Sequence, residues 1–104
     1  MLLLTKEIEK RFAQVGDQSE KEDPIIIAKF FNPVGAGTWY ATEYDPENKM
    51  FFGYVSIFGD WNDEYGDFSL EELETSELPF GMHIERDAHW SEVPMSKVLN
   101  KEVR

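Results

Sequence analysis

Residues 25–58 read IIIAKFFNPVGAGTWYATEYDPENKMFFGYVSIF, three apolar runs of strand length separated by two turn signals. In residues 25–31, Ile26, Ala28 and Phe30 alternate with Ile25, Ile27, Lys29 and Phe31, and β-branched and aromatic residues at that period suit a pleated, half-buried surface. Asn32-Pro33-Val34-Gly35-Ala36-Gly37 breaks the run with turn formers, its glycines admitting positive φ. Residues 38–44 alternate again, Trp39 and Ala41 against Tyr40, Thr42 and Tyr44. Asp45-Pro46-Glu47-Asn48 fits a type I turn, with Asp first and Pro second. The third run, residues 50–58, is apolar on both faces, Phe51, Val55 and Ile57 against Met50, Phe52, Tyr54 and Phe58. Such a strand is ordinarily the most covered one, which places it centrally, with helices over one face of the sheet. Phe30, Trp39, Phe52, Tyr54 and Val55 are then the expected core, and Phe52→Ala would cost about 3–5 kcal/mol. Gly53 weakens the strand unless something packs closely against it or a bulge forms.

The flanks read differently. Leu4, Ile8, Phe12 and Val15 recur at helical spacing, with Thr5 placed to cap, Glu7 in the first turn and Gly16 as the stop. Residues 17–23 (DQSEKED) are polar and without period, which predicts a mobile surface loop leading to Pro24. Beyond the third run lies an acidic loop, residues 59–67. Ser69-Leu70-Glu71-Glu72 then forms a capping box for a short helix with Leu70 and Leu73 inward, closed off by Pro79 and Gly81. Residues 82–90 suit a fourth strand, and residues 94–99 a closing helical turn or two capped by Ser91. The expected fold is a single α+β domain over residues 1–104. It has a three- to four-stranded, mostly antiparallel sheet, an N-terminal helix and a short helix near residues 69–76. At this length about two-thirds of the unfolded surface is buried on folding.

Charge narrows the function. The chain carries 21 acidic residues against 10 basic ones, a net charge of −11. A surface this acidic repels phosphate backbones and anionic headgroups, so direct nucleic-acid binding and membrane-surface binding are disfavoured. Two explanations remain for the acidity: solubility alone, or an ordered face that binds a basic partner. With no cysteine there is no disulfide framework, thiol nucleophile or thiolate metal site. That fits a reducing cytoplasm. The short Met1-Leu2-Leu3-Leu4 run does not make a signal peptide, and no stretch reaches the roughly 20 apolar residues that span a bilayer.

The pieces LLLTKEI, KFF, TWYATEYD, FFGYV, YGDFSLEELE, IERDAHW and VPMSKV occur in an order that resembles a bacterial domain-of-unknown-function family, DUF2958-like. The resemblance covers nearly the whole chain, and it implies a setting on plasmids and integrative elements. It implies no activity and transfers no catalytic residue. The stretch 59–67 is more acidic than the resemblance leads one to expect.

Several chemistries compete on the residues themselves. Asp60, Asn62, Glu64 and Glu71 follow a calcium-loop count, but Tyr65 stands where that loop needs glycine. His83, Glu85, Asp87 and His89 would share one face of a strand and suit zinc, manganese or iron, although alternate residues about 6.6–7 Å apart point in parallel and converge only at a bend. Glu43, Asp45, Glu85 and Asp87 offer carboxylate pairs for acid–base work, as any chain this acidic does by chance. No nucleophile elbow, phosphate-cradling loop or HExxH is present. Trp61, flanked by Asp60, Asn62, Asp63 and Glu64, is the aromatic best placed to be a contact residue. The leading expectation is therefore a non-catalytic acidic adaptor or regulator without a cofactor. It would bind a basic protein through Asp60, Trp61, Asp63, Glu64 and Asp67, in its sharper form as a mimic of DNA charge. The alternative is a metal-binding domain or metal-dependent enzyme using His83, Glu85, Asp87 and His89.

Overall fold

The computed structural model describes residues 2–57 and 64–102. An antiparallel sheet of β2 (Ala28–Phe31), β3 (Thr38–Asp45), β4 (Met50–Ser56), β5 (Glu64–Ser69) and β6 (Glu85–Arg86) runs in the order β5-β4-β3-β2-β6. A short ribbon pairs β1 (Ile25–Ile26) with β7 (Val93–Pro94). Three α-helices, α1 (Lys6–Val15), α2 (Leu70–Thr75) and α3 (Met95–Glu102), and a single 3₁₀ turn at Pro79–Gly81 complete the described part. The fold class is the expected α+β. The sheet has one strand more than expected, because Glu64–Ser69 pairs with β4 along its whole length instead of continuing an acidic loop. The strand at residues 82–90 shrinks to Glu85–Arg86. β3 is the middle strand, and β4 lies one place from the edge.

The N-cap signals of α1 and α2 and the glycine stop of α1 hold. Thr5 stays extended, and its hydroxyl oxygen accepts the Ile8 N–H at 3.1 Å. Gly16, at φ 71°, ends α1 and donates its N–H to the Phe12 carbonyl. Ser69 caps α2 by accepting the Glu72 N–H, and Leu70 and Leu73 are buried. α3 is capped differently from expectation: Asp23, not Ser91, accepts the Ser96 N–H at 2.8 Å and its hydroxyl at 2.6 Å.

Two bulges redirect the alternation. Ala28 is the register partner of Ala41, yet the Ile27 N–H also donates to the Ala41 carbonyl at 2.9 Å, so two residues oppose one. Ile26 is thereby separated from the Ala28 and Phe30 face it was expected to share. It packs with Tyr40, Met95 and Val98, while Ala28 and Phe30 pack with Phe12 and Phe51. On β3 the register shifts between Ala41 and Glu43, leaving Thr42 as the extra residue. Tyr44 consequently joins Ala41 and Trp39 on the Phe51 side. Gly53 stands opposite Ala41 at this shift. A Cβ there would meet the Tyr40 carbonyl oxygen at 1.8 Å, so both reasons expected for a glycine in this strand apply.

Both faces of the sheet are used. Phe12, Ala28, Phe30, Ala41, Phe51 and Phe68 form the larger core beneath α1 and α2. Ile26, Tyr40, Met95 and Val98 form a smaller one beneath α3 and the ribbon, so helices cover two faces where one was expected. Residues 17–23 are not a free loop. Gln18 is 2% exposed and clamps the bulged strands together. Its amide NH₂ donates to the Ile25 and Thr42 carbonyls at 2.9 and 2.8 Å, and its amide oxygen accepts the Ile25 N–H at 2.8 Å. A buried amide satisfied this way saves the bulges from leaving unpaired main-chain groups.

Candidate binding face on strands β4 and β5

The smaller core covers only part of its face. Tyr40 is buried there, and Tyr54, opposite it on β4, packs half-buried against the same cluster. One step further along the sheet the cover stops. Phe52 is 37% exposed and Tyr65 47% exposed. Phe52 was expected to lie in the core. The residue is on the side of β4 away from Phe51, beside the edge strand, and no described helix reaches over it.

Register explains how these side chains meet. Tyr54 faces Tyr65 and Phe52 faces Asp67 across β4 and β5, so all four lie on one side of the sheet. The Phe52 and Tyr65 rings stack at 6.4 Å with 15° between planes, and Tyr54 meets Tyr65 edge-on at 5.3 Å. Phe52 sits between two grooves. One, about 230 Å³, is lined by Gln18, Lys21, Glu22, Glu43 and Tyr65 among others. The other, about 600 Å³, is lined by Asp17, Glu43, Asp45 and Asp67 among others. Among the described residues lining the two grooves, Lys21 is the one cation. The rings are therefore set among five carboxylates. Burial, and then the nearby Asp23 charge, push the Tyr65 hydroxyl above its ordinary pKa, so at neutral pH it keeps its proton and can donate.

Several of these carboxylates are held in place by main-chain donors. Asp17 accepts the Ser19 N–H at 2.7 Å, and Asp45 accepts the Glu47 N–H at 2.9 Å and the Asn48 side-chain amide at 2.8 Å. These bonds hold both carboxyls below the usual aspartate range. Glu43 accepts the Gln18 N–H at 3.2 Å. Three of the five negative charges around Phe52, on Asp17, Glu43 and Asp45, are thus held in position by hydrogen bonds.

The residues singled out in the sequence are dispersed. Asp60, Trp61 and Asp63 lie outside the described residues, as does Asn62 of the calcium count. Glu64 and Asp67 both belong to β5 and are exposed, but three residues apart on a strand they point to opposite faces. Glu64 is on the Phe68 side and Asp67 on the Phe52 side. Glu64 in a strand and Glu71 in α2 do not belong to one continuous loop of the calcium type. Among the described residues no three His, Asp or Glu side chains form a group that could hold a metal ion. The chain bends after Glu85–Arg86, where Asp87 accepts the His89 N–H at 3.0 Å and the Trp90 N–H reaches the Asp87 carbonyl at 3.2 Å. His83, Glu85, Asp87 and His89 accordingly do not share the long strand face on which a common site was expected.

A different cleft, about 650 Å³, separates α1 from the Arg86–Glu92 stretch. Its rim carries both signs: Arg11 holds both Glu92 oxygens at 2.9 Å, and Lys10 and Arg86 stand near Glu7 and Asp87. Of this face the sequence singled out Asp67 for binding and named Glu43 and Asp45 only as carboxylate pairs; Phe52, Tyr65, Asp17 and Glu22 were the contributors that sequence reasoning missed. The available signal was the doubly apolar run itself, which marks either a covered strand or one with an exposed apolar face.

The family model described as a protein of unknown function, DUF2958, matches residues 3–102. The chain belongs to the DUF2958 family. No curated protein and no solved structure matches it. Membership accords with the resemblance carried by motifs such as TWYATEYD on β3 and YGDFSLEELE across β5 and α2. The site must be read from its own chemistry.

Proposed function

We propose that the chain is a non-catalytic, acidic protein-binding domain that engages a basic partner in the cytoplasm through the Phe52–Tyr65 face. The observation that carries this reading is the exposed, stacked ring pair set among Asp17, Glu22, Glu43, Asp45 and Asp67. Aromatic rings at a surface supply large contact area with few rotors and are common interface anchors. Carboxylates around them steer a cationic partner and reject an anionic one. The partner's own basic surface is one that nucleic acid would otherwise occupy. The chain then acts as a mimic of DNA charge, a role suited to the mobile-element setting that the family resemblance implies.

The test is capture of proteins from a bacterial lysate by wild type and by the Phe52→Ser, Tyr65→Ser double variant at low and high salt. The expected result is a set of basic proteins that bind wild type, thin out as salt rises and are lost by the variant. An identical set from both proteins at both salts would overturn the reading and leave solubility as the reason for the acidity.

A further inference from the structure

The open edge of β5 borders this same face. The Leu70 N–H donates to the Lys49 carbonyl at 3.1 Å, in the register that pairs Phe51 with Phe68 and Gly53 with Gly66. In an antiparallel pair the residues that exchange main-chain bonds alternate with those that do not. Glu64, Gly66 and Phe68 therefore turn their main-chain groups toward β4, and Tyr65 and Asp67 turn theirs outward. Among the described residues no strand pairs with that outer edge. Its side chains alternate as well, Glu64 toward one face and Tyr65 and Asp67 toward the other, with Phe52 stacked behind Tyr65.

We infer that β5 receives an extended basic segment of the partner as an added strand. The main-chain N–H and C=O groups of Tyr65 and Asp67 pair with that segment, which places Lys or Arg beside Glu64 and Asp67 and an apolar side chain over the Tyr65–Phe52 rings. This rests on the proposed function above and specifies how the partner is held. Strand addition gives affinity through main-chain bonds and specificity through alternate side chains. Charge selects the occupant. A second copy of the chain aligned edge to edge would bring a further net charge of −11 to an edge that already carries Glu64 and Asp67, whereas a basic strand neutralises an acid on each face.

The edge geometry supplies a discriminating variant. The Asp67 N–H points away from β4, so Asp67→Pro removes an outward donor and spares the β4–β5 ladder; Asp67→Asn removes only the charge. The probe is a synthetic peptide built on Lys-Val-Val-Lys, whose two lysines fall on opposite faces of a strand, followed by amide hydrogen exchange and by titration. The expected result is new protection at the Tyr65 and Asp67 amides of wild type, with the already paired Gly66 and Phe68 little changed. Asp67→Pro should weaken binding roughly tenfold beyond Asp67→Asn, the scale of one or two lost hydrogen bonds. Peptide binding with no new protection at Tyr65 and Asp67 would overturn strand addition while leaving a basic partner intact. That protection pattern is read on wild type, so it decides the matter even if Asp67→Pro fails to fold. No binding of the peptide at any salt, with wild type folded, would overturn both. Protection of Tyr65 and Asp67 that rises with protein concentration alone would make a second copy the occupant and overturn the basic segment.

Discussion

Gly53 is the residue at which the sheet tolerates least. A methyl group there would sit 1.8 Å from the Tyr40 carbonyl oxygen and 2.8 Å from its carbon, and backbone cannot rotate aside as a side chain can. Gly53→Ala should cost about 3 kcal/mol, visible as a lowered denaturation midpoint at unchanged slope. Gln18→Ala should cost a similar amount, about 2–4 kcal/mol, because the Ile25 N–H and two carbonyls lose their partner in a buried place. Phe52→Ala goes the other way. With Phe52 more than a third exposed, truncation should cost about 1–2 kcal/mol, short of the several expected for a buried phenylalanine. Denaturation of the three variants would rank them, and Phe52→Ala as the most damaging would contradict this packing. Gly53 was legible in the sequence, since an isolated glycine in an apolar run asks for a close neighbour. Gln18 was not, because nothing in DQSEKED distinguishes a buried amide from a solvated one until the bulges at Ile27 and Thr42 are placed.

Elements were legible where capping and period spoke together. α1, α2 and the hairpins of β2 to β4 follow from Thr5, Gly16, Ser69 and the two turns. β5 was hidden because Glu64-Tyr65-Gly66-Asp67 reads as a loop, and only pairing with β4 makes it a strand. The two bulges were hidden too, since strict alternation is the expectation until register shifts. α3 depends on a long-range cap: Asp23 binds the Ser96 hydroxyl and N–H, and both bonds hold its carboxyl below the usual aspartate range. A depressed folded pKa contributes stability that is present above the unfolded value of about 3.9 and is lost as pH falls through the lower folded value. Asp23→Ala should therefore melt below wild type at pH 7. The difference should shrink as pH drops under about 4. A gap that persists unchanged in acid would mean that the carboxylate is not what holds α3.

At the scale of the whole molecule, the charge of −11 was legible from the start, but its focus was not. The sequence draws attention to Trp61 and its acidic neighbours, whereas the described structure gathers carboxylates around Phe52 from a turn, a loop and two strands far apart in the chain. The incomplete cover of one sheet face leaves the rings open, and five acids surround them. No described helix is long and apolar enough to cross a membrane. The most direct measurement is a hydrogen-exchange and surface-labelling footprint of the chain in complex with a basic protein it captures. Protection centred on Phe52, Tyr65 and Asp67, fading as salt rises, is the predicted result. Protection over Lys10, Arg86 and Trp90 with Phe52 and Tyr65 unchanged would contradict it and move the interface to the cleft beside α1.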